Sequence, residues 1–176
     1  IVTPNATTSP TGTSNASKLT VRGTSSVPAR KLWMDSNNAN LPNITAGEPY
    51  AFSLYVKKVS GQVNTGYLHI TTGANDTFAA STSFTATSEW QRISVAVNSA
   101  DTELSRFYIT GDSNAQLFIW GAQIESQSQA TAYIKSDRIA AVRKSSTTNL
   151  VTYSEDFSNA YFQKIRSTIS TDQIVS

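Results

Sequence analysis

Apolar and polar residues alternate over several short stretches of this chain, which is the pattern of a strand with one buried face. The stretch YAFSLYVKK places every second side chain from Tyr50 to Val56 on one face. WQRISVAV repeats the pattern with Ile93, Val95 and Val97. In LFIWGAQIE the alternation groups four apolar side chains: Phe118, Trp120, Ala122 and Ile124.

Turn-forming clusters such as DSNNANLPN, GAND and GDSNA separate these stretches at a steady spacing. The pattern predicts eight strands. They are Lys18–Arg22, Ala29–Met34, Tyr50–Lys57, Tyr67–Thr71, Phe78–Phe84, Trp90–Val97, Arg106–Thr110 and Gln116–Ile124.

No window shows an apolar stripe with helical spacing, so the chain is predicted to be all-β. About eight short strands joined by turns favour a two-sheet antiparallel β-sandwich of the jelly-roll type. Residues 4–16, PNATTSPTGTSNA, have no period and contain two prolines, so they are predicted to form an N-terminal loop arm.

The composition removes several classes of function. The net charge is +2 with no concentrated basic cluster, so we expect no nucleic-acid partner. The absence of cysteine excludes disulfides, thiolate zinc sites and thiol nucleophiles. No apolar stretch approaches the length of a membrane span, so no membrane insertion is expected. The chain begins with Ile1 and shows no signal peptide, which suggests a processed product or a fragment.

Several motifs carry a resemblance to a known family. They are TTNLVTYSEDFSNAYFQK, SPTGTSNASKLT, PYAFSLYVKK, SEWQRISVAV and FIWGAQIESQSQATAYI. Together they resemble a jelly-roll module that recurs in bacteriophage tail fibres and other virion appendage proteins. That module opens with NLL-YSEDFSN-aromatic-x-K and ends with WGAQLE followed by T-x-Y-I-P, whereas Lys135 stands here in place of the proline. Its fold is similar to that of carbohydrate-binding modules of polysaccharide-degrading enzymes.

The motifs occur here in permuted order. Residues 1–134 resemble one sandwich without its first strand, and residues 135–148 read as a linker. Residues 149–176 resemble the first strand of a following repeat, or a strand that completes a sandwich.

The resemblance implies a non-enzymatic structural module of a virion, from a phage tail fibre or appendage, that contacts the host surface. Other virion subunits would then be its partners, as a homo-oligomer, and its location would be the virion or the extracellular space. The alternative is a carbohydrate-binding module that captures a host or polysaccharide glycan.

A further alternative is a fibre subunit that assembles by strand exchange through residues 149–164, because a sandwich without its first strand exposes an edge that needs a partner. Pairing in cis and in trans both stay open. The apolar residues of this assembly strand are Leu150, Val151, Tyr153, Phe157 and Phe162.

No catalytic residue is predicted. The single histidine, His69, lies inside a predicted strand without a nucleophile motif, and we interpret it as an ordinary hydrogen-bonded strand residue. Asp101 and Glu103 lie in a turn cluster and have no apolar surroundings that would raise a pKa for glycosidase chemistry.

No cofactor is expected, with a structural calcium ion as the one alternative. Modules of the carbohydrate-binding type often hold calcium near their first and last strands, where oxygen ligands are needed. The matching acidic residues are Glu125, Glu155 and Asp156, which otherwise read as exposed turn residues.

Sugar binding requires aromatic faces with polar groups around them. Trp90 and Trp120 fall in strands that the resemblance assigns to the core. The candidate ligand-binding residues are therefore Trp33, Tyr55 and Tyr108, each of which ordinary packing also explains.

Overall fold

The computed structural model describes residues 1–21, 31–35, 45, 47–72, 77–98, 104–136, 141–142, 148–149, 155, 157 and 163–164. Its strands, numbered in chain order, are β1 (Val2–Thr7), β2 (Ala16–Thr20), β3 (Lys31–Asp35), β4 (Tyr50–Lys58), β5 (Thr65–Thr72), β6 (Thr77–Thr85), β7 (Gln91–Val97), β8 (Leu104–Gly111), β9 (Gln116–Glu125), β10 (Ala141–Val142), β11 (Thr148–Asn149) and β12 (Gln163–Lys164). All eight predicted strands are present.

Two five-stranded sheets form the domain, and neighbouring strands pair antiparallel. The first sheet has the order β1-β2-β9-β4-β7, and the second has the order β12-β3-β8-β5-β6. Strands β10 and β11 form a separate two-stranded pair. The predicted all-β, two-sheet antiparallel sandwich is thereby confirmed.

The hydrophobic core lies between the two sheets. The alternation read from YAFSLYVKK is confirmed, since the side chains of Tyr50, Phe52, Leu54 and Val56 all belong to the core. Phe52 of the first sheet meets Phe107 of the second edge to face, with ring centroids 6.0 Å apart. This geometry suits the charge distribution of aromatic rings, and it fixes the facing direction of both strands.

The predicted N-terminal loop arm, residues 4–16, is shorter in the structure than the sequence indicates. Residues 2–7 form the edge strand β1, and the side chain of Val2 is buried in the core. Pro4 is compatible with this position because an edge strand leaves one row of backbone donors unused. The loop is therefore confined to residues 8–15 between β1 and β2.

A β-bulge in β9 changes which side chains face the core. Opposite β4, Ser53 pairs with Gln123 but Tyr55 pairs with Trp120, so β9 carries one extra residue. Gly121 takes a positive φ of 63° at this point. Because one extra residue inverts the alternation, Phe118 and Trp120 face outward, contrary to the grouping read from LFIWGAQIE. The inward residues are Leu117, Ile119, Ala122 and Ile124.

The C-terminal part of the chain contributes to the same sandwich. Within residues 135–148, read from the sequence as a linker, Ser136 is buried and β10 pairs with β11. The ring of Phe157 is 2% exposed and belongs to the inter-sheet core. Strand β12 extends the second sheet by pairing with β3. Among the described ranges, no helix reaches the length and hydropathy required to cross a membrane.

Candidate functional site

The outer face of the first sheet is covered by the chain that follows β9, residues 126–136, which we call the return segment. Glu125 anchors its start: this carboxylate is 0% exposed and accepts hydrogen bonds from the backbone N–H of Thr131 (3.0 Å) and from Gln127 Nε2 (2.9 Å). The Thr131 hydroxyl donates to it as well. Further along, the backbone N–H of Ile134 donates to Gln123 Oε1 at 2.7 Å.

Aromatic packing holds the return segment over the sheet. Tyr133 lies on Trp120 with ring centroids 4.5 Å apart. The centroid of the Tyr55 ring is 5.6 Å from that of Trp120 and 6.3 Å from that of Tyr133. The guanidinium of Arg92 lies 5.7 Å from the Tyr55 ring and donates to Ser53 Oγ at 2.8 Å. The candidate ligand residue Tyr55 is thus engaged in covering this face.

The outer face of the second sheet carries a different aromatic group. Tyr67 and His69 alternate with the core residues of β5, and Tyr108 lies opposite His69 on β8. Tyr67 stacks on His69 with centroids 5.6 Å apart and planes 21° apart, and His69 lies 4.7 Å from Tyr108. We call these three rings the aromatic row.

Exposure falls sharply along the aromatic row. The Tyr67 side chain is 43% exposed, His69 is buried, and Tyr108 is 1% exposed. His69 Nε2 and Thr110 Oγ1 are hydrogen-bonded at 3.2 Å, which agrees with the interpretation of His69 as a bonded strand residue. Tyr67 is therefore a solvent-facing ring that rests on a fixed, buried support.

A hollow of about 360 Å³ lies beside Tyr67, within the size range of sites that bind small ligands. Its wall is mostly hydroxylic and includes one carboxylate. The lining residues are Thr65, Gly66, Tyr67, Ser83, Phe84, Thr85 and Asp112. Ser81, on the same strand as Ser83 and Thr85, is also exposed and extends this row of hydroxyls along β6.

Local contacts fix the shape of the hollow. The Thr65 hydroxyl donates to Asp112 Oδ2, and the backbone N–H of Asp112 donates to Thr65 O at 3.0 Å. Gly66 has no space for a side chain, because a Cβ atom there would stand 2.2 Å from Thr110 O and 2.9 Å from the Phe84 ring. The close approach of β5 and β8 therefore depends on this glycine.

The sequence-predicted ligand residues do not all meet at the hollow. Tyr108 belongs to the aromatic row as its buried end, while Tyr55 lies on the other sheet. The backbone of Trp33 pairs with Tyr108 in the second sheet, and its side chain lies outside the described part. Ligand binding by these three residues stays a prediction.

Tyr67 itself was missed at the sequence level. The signal was present in YLHIT, since placing Leu68 and Ile70 in the core turns Tyr67 and His69 outward.

Two of the three predicted acidic residues, Glu125 and Glu155, accept hydrogen bonds. Glu125 anchors the return segment, and Glu155 accepts from Asn15 Nδ2 at 2.7 Å and from the Tyr133 hydroxyl at 3.0 Å. Asp156 lies outside the described residues. Across the stretches that the structure places, no three metal-ligating side chains come together.

Of the assembly-strand residues, Phe157 alone is described. Leu150, Val151, Tyr153 and Phe162 lie outside the described residues.

Neither a protein-family model nor a curated protein matches this chain. Among solved structures, the fold is similar to the Clostridium thermocellum endo-1,4-beta-D-xylanase 10B structure that holds CBM22-1 and GH10 modules complexed with xylohexaose. The identity is 20%, the TM-score is 0.51, and the match covers 77% of this chain. It covers 26% of the xylanase chain, so this protein spans about a quarter of that length.

Two further structures are similar. One is described as CBM4, with a TM-score of 0.48 and 13% identity, covering 65% of this chain and 72% of the other. The second is BiXyn10A CBM1 in its apo form, with a TM-score of 0.46 and 11% identity, covering 66% and 74%. Each of these three structures is described as containing a carbohydrate-binding module.

Proposed function

We propose that this protein is a carbohydrate-binding module that holds a glycan against the outer face of the second sheet, with the sugar ring on Tyr67. The observation that carries the proposal is a tyrosine ring that is 43% exposed, stacked on a buried histidine, and set beside a hydroxyl-lined hollow. Sugars bind to proteins by packing their C–H faces on aromatic rings and by hydrogen bonding at the ring edge.

The support beneath Tyr67 favours binding over incidental exposure. A ring already ordered by stacking on His69 loses little conformational freedom when a ligand covers it. Ser83 and Thr85 offer hydroxyl donors and acceptors on one side, and the Asp112 carboxylate offers an acceptor on the other. This combination fits the alternating apolar faces and hydroxyl edges of a pyranose.

The same geometry favours binding over glycoside hydrolysis. Hydrolysis generally uses two carboxyl groups on opposite sides of the scissile bond. Of the residues known to line the hollow, Asp112 is the one carboxylic acid, and its Oδ2 is engaged by Thr65. We therefore assign no catalytic step to this site.

The shared fold gives independent support of a coarser kind. The similar xylanase structure includes a carbohydrate-binding module of family 22 and was solved with xylohexaose. A polysaccharide of neutral sugars is accordingly the first ligand class to try.

The proposal extends to location. A module that resembles the repeats of phage tail fibres would present Tyr67 outside the cell, on a virion, toward a glycan of the host surface. This part rests on the sequence resemblance in TTNLVTYSEDFSNAYFQK and WGAQIESQSQATAYI.

Electrophoresis through gels that contain soluble polysaccharides tests the proposal. Xylan, mixed-linkage β-glucan, galactomannan and bacterial surface polysaccharides form the panel. We expect at least one to retard the wild-type protein and to leave Tyr67→Ala unretarded. Retardation of both proteins to the same extent would place binding elsewhere, and a wild type that no polysaccharide of the panel retards would remove the proposed function.

A further inference from the structure

The Asp112 carboxylate is held in the wall of the hollow beside Tyr67. Asp112 follows β8 directly and begins the turn to β9, in which the backbone N–H of Ala115 donates to Asp112 O at 2.9 Å. A second tie runs to β5, because the backbone N–H of Asp112 donates to Thr65 O at 3.0 Å and the Thr65 hydroxyl donates to Oδ2. The position of the carboxylate is therefore fixed before a ligand binds.

The negative charge lies close to the ring that we assign to the sugar. Thr65 and Tyr67 are two residues apart on the same face of β5, so their backbone positions are about 7 Å apart. Thr65 binds the carboxylate directly, and the Debye length at physiological salt is about 8 Å. A charge on a ligand that covers Tyr67 therefore interacts with Asp112 before salt screens it out.

No positive side chain compensates Asp112 in the part of the wall that the structure places, since its lining residues include neither lysine nor arginine. Within the sequences of β5, β6 and β8, the one residue of either type is Arg106, whose backbone pairs with Thr71. Thr71 is four residues from Tyr67 along β5, which corresponds to about 13 Å. This separation exceeds the Debye length, so the hollow keeps a negative potential.

Hydrogen bonding alone does not require an acid at this position. An asparagine would accept from the Thr65 hydroxyl through its amide oxygen, and it begins turns of this kind as readily as aspartate does. The property that distinguishes Asp112 from an asparagine is therefore its charge, which faces a site open to solvent.

We propose that Asp112 determines which glycans the hollow accepts by their charge. It disfavours sugars that carry carboxylate, sulfate or phosphate groups, and it favours amino sugars with a free ammonium group, which also gain from the face of the Tyr67 ring. This inference rests on the proposed sugar site. Because the net charge of the chain is +2, long-range attraction favours acidic glycans, so selection against them has to arise locally at the hollow.

The test varies the charge of one polysaccharide and keeps its backbone. A neutral polysaccharide of the panel that retards the wild type is converted to carboxymethyl, hydroxyethyl and aminoethyl ethers. Their substituents are similar in size and are negative, neutral and positive near neutral pH. All three ethers carry a substituent on every few sugars, so that any stretch that covers the hollow includes one. Isothermal titration at low salt measures the affinity for each ether.

Two unit charges about 4 Å apart in water change a binding constant by about fivefold. We therefore expect the wild type to bind the carboxymethyl ether about fivefold more weakly, and the aminoethyl ether about fivefold more tightly, than the hydroxyethyl ether. Asp112→Asn should reduce both differences to less than about twofold. Glu89→Gln removes the same charge from an exposed acid outside the hollow and should keep both differences.

Salt provides a second readout on the unchanged protein. In about 1 M salt the Debye length falls to about 3 Å, so both differences should shrink in the wild type as they do in Asp112→Asn.

Four results would overturn the inference. Equal affinity of the wild type for the three ethers would show that the hollow does not select by charge. Undiminished differences in Asp112→Asn would place the selection elsewhere. Equal effects of Asp112→Asn and Glu89→Gln would assign it to the net charge of the protein. Retardation of the wild type by acidic polysaccharides alone would reverse the proposed order.

These failures are distinguishable from a failure of the sugar site itself. If Tyr67→Ala weakens binding of the hydroxyethyl ether while the charge differences are absent, the sugar site is retained and the role of Asp112 is lost. A wild type that no polysaccharide of the panel retards removes both.

Discussion

Tyr133 lies against Trp120 on the outer face of the first sheet, with ring centroids 4.5 Å apart and planes inclined by 52°. This contact explains the spacing of the motif WGAQIESQSQATAYI in physical terms. The bulge at Gly121 turns the Trp120 side chain outward. Glu125 accepts hydrogen bonds from the residues that follow β9, and this places the Tyr133 ring against the indole of Trp120. The residues of this motif therefore serve to cover the outer face of the first sheet.

The buried carboxylate of Glu125 should be one of the strongest single contributors to stability. Glu125→Ala removes the acceptor of three hydrogen bonds and leaves the donors of Thr131 and Gln127 poorly satisfied. We expect a loss of about 3 kcal/mol in the free energy of unfolding, measured by urea denaturation. Glu89→Ala, at an exposed acid, should change it by less than about 0.5 kcal/mol. Equal effects would contradict the anchoring role of Glu125.

Two glycines with similar backbone conformations distinguish the cost of a left-handed backbone from the cost of a steric contact. Gly61→Ala, at φ 71° in open space, should cost about 1 kcal/mol from the left-handed conformation alone. Gly121→Ala, at φ 63°, adds a Cβ 3.1 Å from the Tyr133 ring and should cost about 1 kcal/mol more. Thermal and urea unfolding of both variants measure the difference. No difference would mean that Tyr133 does not press on the bulge.

Phe157 reports whether the C-terminal part belongs to the sandwich. Phe157→Ala empties a core position between the sheets, and we expect a loss of about 3–5 kcal/mol in the free energy of unfolding. Phe157→Leu should retain most of the buried apolar area and therefore lower the free energy of unfolding by less. If Phe157→Ala unfolds at the same urea concentration as the wild type, the ring is not part of the core.

Much of the fold was readable from alternation alone, because strands with one buried face leave a period of two in the sequence. The facing direction in β4 was correct for this reason. The sequence placed Phe118 and Trp120 on the wrong face of β9 because a bulge at Gly121 breaks the period of two. The glycine was visible in the sequence, but it did not show on which side of the bulge the alternation would be inverted. Strand β1 was missed because an edge strand tolerates Pro4 and polar residues on its open side.

The site was less predictable than the fold. Trp120 is buried, as expected, but beneath Tyr133 and not between the sheets, whereas Trp90 is half-buried and donates from Nε1 to Thr8 O. Contacts between residues distant in sequence decide whether such aromatic side chains are buried. Tyr55 lies against Tyr133 of the return segment and Tyr108 lies against His69, and both contacts join residues that are distant in sequence.

His69 should position Tyr67 for ligand binding. His69→Ala removes the ring beneath Tyr67, and we expect about tenfold weaker affinity for the polysaccharide that retards the wild type. His69→Phe keeps a stacking surface and should recover most of the affinity, although it loses the bond to Thr110. Isothermal titration and circular dichroism together distinguish lost positioning from lost folding. Equal affinity in all three proteins would exclude a positioning role.

The most direct test of the account compares two exposed apolar side chains. Val63 is 44% exposed and Tyr67 is 43% exposed, but Val63 is not among the residues that line the hollow. In isothermal titration with the polysaccharide that binds the wild type, Tyr67→Ala should weaken affinity by at least about tenfold, while Val63→Ala leaves it unchanged. An unchanged affinity in Tyr67→Ala would contradict the claim that this ring carries the sugar site.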